Sequence, residues 1–400
     1  MSYKTFKYPI HPSEGQLKKL AAWDDACRFL ANLSIEQWKL GVTRPKVDRK
    51  YPSLGDSQKQ LTELRKEVPW LKDVPVHIAQ NTLRRVETSW QRCFDKVSKA
   101  PRWKRKNHDF MSFTEPDPLQ WTLKPERGLL SFPKLGNVRV NVHRLLDGKP
   151  MSCTIKREGT QWYACIQCEL PKTKPTENTS IVGLDRGIVL LVADSDGATV
   201  SNPEFLKKSI VQLRRVQRKA SRKVKGSANQ RKAYQRVAKC HRRVTRQRNH
   251  YLHQISKHYA KNHGVIGVEK LQIDNMVKIG RGLARSILDA GWGKLVSQMK
   301  YKAEWAGGKV VEVPAAYSSQ ECSSCGCVDS ASRATQALYS CTSCGHTENA
   351  DLNAAKVIKK RTIRSLLTGE GSAPEAPRRT SKPRLRNRTQ GESHTEIGAT

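Results

Sequence analysis

Two cysteine pairs near the carboxyl end carry the clearest chemistry in this 400-residue chain. Cys322-x2-Cys325 and Cys341-x2-Cys344 are separated by fifteen residues, which is the spacing of a four-thiolate zinc ribbon. Four thiolates complete a tetrahedral shell with no open position, so the spacing predicts one structural Zn²⁺. Cys327 and His346 lie near enough in sequence to replace one of the four. Directly after this loop comes Asp351, in NADLNAA, at the start of a helical pattern. A metal staple set against an isolated acid raises the question of that acid's partners.

Two other acids share its character. Asp185 ends the apolar run Ile181–Leu184, and Glu269 ends Gly264–Val268. Taken singly, each of the three reads as a solvated strand end or a helix N-cap. Taken together, they recur at the ends of predicted strands and the start of a predicted helix. Carboxylates gathered in one place repel each other and need cations. Asp185, Glu269 and Asp351 are therefore read as a catalytic site holding two Mg²⁺. Asp194 and Asp196 read as turn residues, Asp289 as a structural hydrogen-bonding group, and Asp274 lacks the placement.

Bringing the three acids together demands particular elements. After Ser180 the pattern gives a three-strand meander, a helical insertion, a strand, a helix over Leu283–Trp305, a strand over Lys309–Val313, the cysteine loop and a last helix from about Leu352. This is the element order of the RNase H-like fold, whose first and fourth strands are neighbours. Asp185 would then sit beside Glu269, and the last helix would carry Asp351 across to them.

Upstream, YKTFKYPI reads as a strand, and Ser13 with Gln16 makes a capping box for a helix bearing Leu17, Leu20, Cys27 and Leu30. A second helix, about 76–97, has Leu83, Val86, Trp90, Phe94 and Val97 on one face and Arg84, Arg85 and Arg92 on another. Short strands follow around Phe113, Trp121, 129–132, 138–142 and 162–166, the last returning from a turn at Glu158-Gly159-Thr160. They predict a small β-barrel. Cys165 and Cys168 fall on opposite faces of a strand and read as core packing. The polar Pro171–Ser180 marks a boundary. The expected organisation is α+β and multidomain: 1–180, a barrel with a helical insert at about 11–100; 181–367, the RNase H-like α/β domain with a basic helical hairpin (207–255) and a zinc ribbon (about 318–348); and 368–400, a tail too polar to fold.

The charge points to a partner. Seventy-three Lys and Arg against thirty-six Asp and Glu give a formal +37, a self-repulsion that a folded chain carries to meet a polyanion. No acid occurs between Glu204 and Glu269, so the helical segments Lys207–Val224 and Arg231–Ile255 present unmixed positive charge. Lys207, Arg214, Arg215, Arg218, Arg222, Arg231, Arg236, Arg242 and Arg243, with Arg84, Arg85 and Arg92, are the candidate nucleic-acid contacts. The longest strongly apolar run is Ile188–Ala193, far short of the roughly 18 residues of a membrane span. MSYKTFKYPIHP has no signal-peptide core, and eleven cysteines, four at metal spacing, fit a reducing cytoplasm.

GLDRG, IGVEKL, SSQECSSCG, YSCTSCG and NADLNAA resemble the TnpB (OrfB) proteins of bacterial insertion sequences, small relatives of the type V CRISPR effector nucleases. RRVETSWQRCF, LSFPKLGNVRV and ILDAGWG extend the resemblance over almost the whole chain. It implies a wedge barrel interrupted by a recognition insert, then a RuvC nuclease domain whose carboxylates fall on Asp185, Glu269 and Asp351. It also implies an RNA-guided DNA endonuclease acting beside a short adjacent motif. Its partners would be a guide RNA from the transposon end, the target duplex and the displaced single strand. Three alternatives stand beside it: a nuclease-independent RNA-guided DNA-binding protein, a small type V CRISPR effector, and a transposase working without RNA.

Overall fold

A computed structural model describes residues 2–44, 51–106, 112–171, 175–278, 280–333 and 335–369. All but the first two residues of the tail expected from residue 368 lie outside them. The chain divides into two units. The first takes Met1–Thr176, Phe205–Gln254 and Glu304–Gly307; the second takes Glu177–Glu204, Ile255–Ala303 and the chain from Gly308 on.

In the first unit, β1 (Ser2–His11) leads into α1 (Glu14–Thr43), α2 (Leu54–Glu67) and α3 (Val76–Phe94). Ser13 and Gln16 cap α1 reciprocally, as expected: Gln16 N–H donates to Ser13 Oγ, and Ser13 N–H donates to Gln16 Oε1 at 3.0 Å. Leu20, Cys27 and Leu30 are buried, whereas Leu17 is exposed. Because α3 stops at Phe94, Val97 falls beyond the helix and faces solvent.

Strands β2 (Phe113–Glu115), β3 (Thr122–Lys124), β4 (Leu129–Phe132), β5 (Gly136–Val140), β6 (Lys149–Glu158) and β7 (Gln161–Leu170) complete an antiparallel sheet ordered β2-β6-β7-β1-β5-β4-β3. β1 alternates strictly, with Phe6, Tyr8 and Ile10 inward, the period of a half-buried strand. Trp23 of α1 meets Phe113 edge-on with ring centroids 5.6 Å apart, so helices and sheet share one core. Among the described residues β2 and β3 are not paired with each other, so hydrogen bonding leaves open the sheet expected as a barrel. Cys168 is fully buried and Cys165 half-buried, in keeping with core packing. The basic helices α4 (Phe205–Ser221) and α5 (Ala228–Asn262) join this unit through residues 205–254, closing on Leu213, Ala220 and Val237.

The second unit is built on β8 (Ile181–Asp185), β9 (Leu190–Asp194), β10 (Thr199–Ser201), β11 (Val265–Glu269) and β12 (Lys309–Val313), in the order β10-β9-β8-β11-β12. β8, β11 and β12 are parallel, while β9 returns antiparallel to β8 and β10 pairs antiparallel with β9 to complete the meander. First and fourth strands are thus neighbours, as the element order required. Between β11 and β12 lie α6 (Ile273–Met276), α7 (Arg281–Ala290) and α8 (Trp292–Trp305). The single helix expected over 283–305 is broken at Gly291, whose left-handed φ of 71° caps α7. The cysteine loop carries a small hairpin, β13 (Leu338–Ser340) and β14 (Thr347–Asn349), and α9 (Ala350–Thr368) follows at once. No helix among the described residues is long and apolar enough to cross a membrane.

Candidate active site

Asp185 is the last residue of β8 and Glu269 the last of β11. The parallel register pairs Leu184 with Val268, so the two acids leave neighbouring strands at the same level. Glu269 is buried, 7% exposed. Asp351 comes from the first turn of α9, where Asn349 caps the helix by accepting from the backbone N–H groups of Asp351 and Leu352. The helix N-terminus favours negative charge there.

Burial, then the charges of Glu269 and of Asp351, push the Asp185 carboxyl up to about 7. The Arg186 backbone N–H and the Arg333 charge act against that rise. Asp185 therefore feels the charges of acids carried by two other elements, Glu269 of β11 and Asp351 of α9. Their oxygens are nonetheless not packed as tightly as the sulfurs: among the described residues, the cysteine quartet is the group whose donor atoms all lie within 4.8 Å of one another. A single hard cation needs such tight donors, whereas a pair of cations accepts a wider spread.

Three neighbours of the acids were not singled out by sequence reasoning. Arg186 is buried; its Nη2 donates to the Glu269 backbone carbonyl, and its Nε is buried without a hydrogen-bond partner among the described residues. Ser318 is buried, and its one hydroxyl proton faces two acceptors, Glu269 Oε1 and, at 3.1 Å, the Ala315 carbonyl of its own turn. Arg333 belongs to the cysteine loop and acts on Asp185 through its charge. Arg186 stands next to the acid in GLDRG, and that adjacency was the available signal. Ser318 opens the SSQECSSCG motif, though nothing in that motif ties it to Glu269, and Arg333 carried no signal. Asp194 does more than turn the chain: Oδ1 accepts from Asp196 and Ala198 N–H, and Oδ2 accepts from the buried Tyr259 hydroxyl at 3.0 Å.

The cysteines form a second centre. Cys322 Sγ lies 3.7 Å from Cys344 Sγ, and Cys325 Sγ 3.7 Å from Cys341 Sγ. Tetrahedral bonds of about 2.3 Å put sulfurs about 3.8 Å apart, so the quartet fits zinc. Against burial, N–H groups of Cys344 and Ser343 bring the Cys341 thiol down, whereas, against a Cys327 N–H, burial and the neighbouring thiols push Cys325 up, so the four sulfurs compete for protons at one centre. Cys327 and His346 stay outside the quartet. The loop is tied to α9 through buried Asn353, whose Oδ1 accepts from Ser323 N–H at 2.8 Å and whose Nδ2 donates to Glu321 O at 2.8 Å.

The basic candidates lie in the first unit. Arg84, Arg85 and Arg92 are exposed on α3, as are Lys207, Arg214, Arg215 and Arg218 on α4, Arg222 just beyond it, and Arg231, Arg236 and Arg243 on α5. Arg85 spends one nitrogen on Ser112, at 2.9 Å to Oγ. Arg242 is half-buried: Nη1 donates to Glu158 O at 2.7 Å, pinning α5 to the β6–β7 turn. A cleft of about 740 Å³ opens beside that turn, with Gln161, Arg236, Lys239 and Arg243 on its walls.

Comparison with known proteins gives a consistent picture. Residues 165–280 match the OrfB_IS605 family, described as "Probable transposase", and residues 292–358 match the "Cas12f1-like, TNB domain". The chain is 32% identical over 384 residues to the "Putative RNA-guided DNA endonuclease InsQ" of Escherichia coli K12, covering 92% of this chain and 94% of that protein. It is 30% identical over 382 residues to a "Putative RNA-guided DNA endonuclease" of Streptomyces pristinaespiralis, covering 93% and 92%. A Cas12f1 endodeoxyribonuclease of Sulfoacidibacillus thermotolerans matches half of each chain at 27% identity. The full-length likeness, with GLDRG, IGVEKL and the four-cysteine loop in place, makes this chain a member of the TnpB (OrfB) family.

Proposed function

We propose that this chain is an RNA-guided DNA endonuclease of a transposable element, hydrolysing phosphodiester bonds in an RNase H-like RuvC site formed by Asp185, Glu269 and Asp351. The carrying observation is that Asp185 and Glu269 close neighbouring parallel strands at one level, with Asp351 at the start of α9 near enough for its charge, like that of Glu269, to add to burial in pushing the Asp185 carboxyl up. Such a site gathers three carboxylates and offers oxygen donors, which suits hard divalent cations. Asp185, Glu269 and Asp351 would hold two Mg²⁺, whose chemistry is to lower the pKa of an attacking water and to stabilise the leaving oxygen. The chain's own residues supply the rest. Parallel strands fix the spacing of Asp185 and Glu269, and α9 presents Asp351 with its N-terminal dipole behind it. Ser318 occupies one oxygen of Glu269, which leaves Oε2 for a ligand.

The cysteine quartet would hold one structural Zn²⁺ and stiffen the loop that leads into Asp351. The first unit's arginines and lysines would track the phosphates of a guide RNA, of its heteroduplex with target DNA, and of the displaced strand, leaving sequence choice to base pairing. The strand order, the parallel β8–β11 pair and the names borne by full-length relatives support this reading. Asp185→Ala should abolish Mg²⁺-dependent cutting while RNA and target binding persist. Undiminished cutting by that variant would refute the site. Sequencing the RNA that copurifies with the chain tests the guide; protein that carries no defined RNA would remove it.

A further inference from the structure

After β12 the chain makes a turn, 314–321, before entering the cysteine loop. Tyr317 in that turn has φ 59°, the left-handed region that a bulky side chain adopts only where its surroundings hold it. The N–H groups of Gln320 and Glu321 both donate to Tyr317 O, at 2.9 and 3.0 Å. The next residue, Ser318, is the one whose hydroxyl reaches Glu269 Oε1. Local backbone strain therefore sits one residue from a side chain that touches the proposed site.

Arg361 of α9 holds this turn. Its Nη1 donates to the carbonyls of Pro314 at 2.7 Å and Ala316 at 2.9 Å. Its Nε and Nη2 donate to Glu321 Oε2 at 3.0 and 2.5 Å. The guanidinium thus grips both ends of the turn from a buried position, 7% exposed. A fork of fixed geometry can make four hydrogen bonds to these three acceptors, whereas a lysine ammonium is a point charge with three donors. Arg361 stands ten residues beyond Asp351 on one helix, about 15 Å along its axis. One end of α9 carries an acid of the site, and farther along the helix fixes the turn that orients another.

We infer that Ser318 and Arg361 are positioning residues for Glu269. Arg361 holds the strained turn at Tyr317, the turn aims the Ser318 hydroxyl at Oε1, and Glu269 is thereby fixed with Oε2 free for a cation. This rests on the proposal that Glu269 belongs to the Mg²⁺ site. Partners behind a metal ligand typically contribute tenfold to a hundredfold in metal affinity or activity.

The test uses the full chain with its copurifying RNA. It measures the Mg²⁺ concentration for half-maximal target cleavage, and separately the binding of Mn²⁺ to the protein by electron paramagnetic resonance. Ser318→Ala should raise the Mg²⁺ requirement and weaken Mn²⁺ binding by about tenfold to a hundredfold, with target binding unchanged. Ser318→Thr, which keeps the hydroxyl, should recover most of that loss. Arg361→Lys should behave like Ser318→Ala, and adding Tyr317→Gly, which removes the left-handed strain, should partly restore it. Glu269→Ala is the control. If it is inactive and loses Mn²⁺ while Ser318→Ala matches the parent in both readouts, the inference fails and the active-site reading stands. If Glu269→Ala still cuts, the active-site reading fails and takes the inference with it. Should Arg361→Lys not fold, the Ser318 pair decides alone.

Discussion

Gly183 is the position at which one methyl group should do most damage to the proposed site. It lies in the middle of β8, against the backbone of α9. A Cβ built there would come within 2.2 Å of Ala355 O, 2.4 Å of Lys359 N and 2.9 Å of Lys359 Cα. All three are main-chain atoms, so no rotamer change relieves the clash. Ordinary van der Waals contact begins near 3.4 Å, so Gly183→Ala must move α9 off the sheet by about 1.2 Å. Asp351 is one helical turn upstream of Ala355 and moves with the rigid helix. Overpacking of this kind costs about 1–3 kcal/mol of stability. A misplacement near 1 Å in an active site can cost about a hundredfold in rate.

The partner position makes an internal comparison. Gly267 pairs with Gly183 across the β8–β11 register, but a Cβ there would meet the Thr362 side chain, with Oγ1 at 2.0 Å and Cβ at 3.0 Å. Gly267→Ala should therefore be relieved in large part by Thr362→Ala, whereas no single side-chain truncation should relieve Gly183→Ala. The assay is single-turnover cleavage of a plasmid target at saturating Mg²⁺, beside thermal melting and a target-binding gel shift. Gly183→Ala should cut about a hundredfold more slowly while still binding target. Parental cutting by Gly183→Ala would show that the seat of α9 does not set the geometry of the acids.

Other outcomes follow from the same geometry. Replacing Cys341 with Ser should release the zinc from purified protein and lower both melting temperature and cleavage; metal analysis that finds no zinc in the parent would count against the ribbon. Arg214→Gln with Arg218→Gln should make the salt slope of nucleic-acid binding shallower by about 0.7–0.9 for each phosphate no longer neutralised; an unchanged slope would place the nucleic acid elsewhere. Burial, then the Lys257 charge, brings Lys302 down to about 8 from 10.5. The unfolded chain holds that proton more tightly, so this lysine makes stability rise between pH 8 and 10.5 and costs stability below it. Lys302→Met should flatten that rise relative to the parent in pH-dependent melting, and an equal slope in both would remove the argument.

Much of this was legible because it rests on local rules. The capping box at Ser13, the alternation of β1 and the spacing of the cysteines each follow from a few neighbouring residues. The break at Gly291 is hidden from a reading of periodicity because apolar spacing resumes at once in α8. Arg242 showed the limit of reading charge alone. Its type and its run of neighbours mark a phosphate contact, yet one of its nitrogens is committed to the Glu158 carbonyl. Ser318 and Arg361 were beyond reach for a different reason. Their roles depend on three acceptors of Arg361 and the Glu269 carboxylate, which converge from segments with no shared pattern.

One signal for the helix–sheet packing was in plain view. GLD and GVE each place a glycine two residues before the acid, and a strand returns to the same face every second residue. In each strand the glycine and the acid therefore look toward one side of the sheet, and that side is where α9 lies. From Gly183 to Asp185 the strand advances about 6.6 Å; from Ala355, which Gly183 touches, back to Asp351 the helix covers about 6 Å. Helix and strand run in opposite directions with nearly equal steps, so a contact fixed at the glycine brings the two acids level. The glycines contribute closeness, which a side chain of any size would remove, and the acids inherit their spacing from it. Glycine-x-acid on adjacent parallel strands, followed later by a helix that opens on an acid, is thus the sequence pattern on which the proposed three-carboxylate site rests.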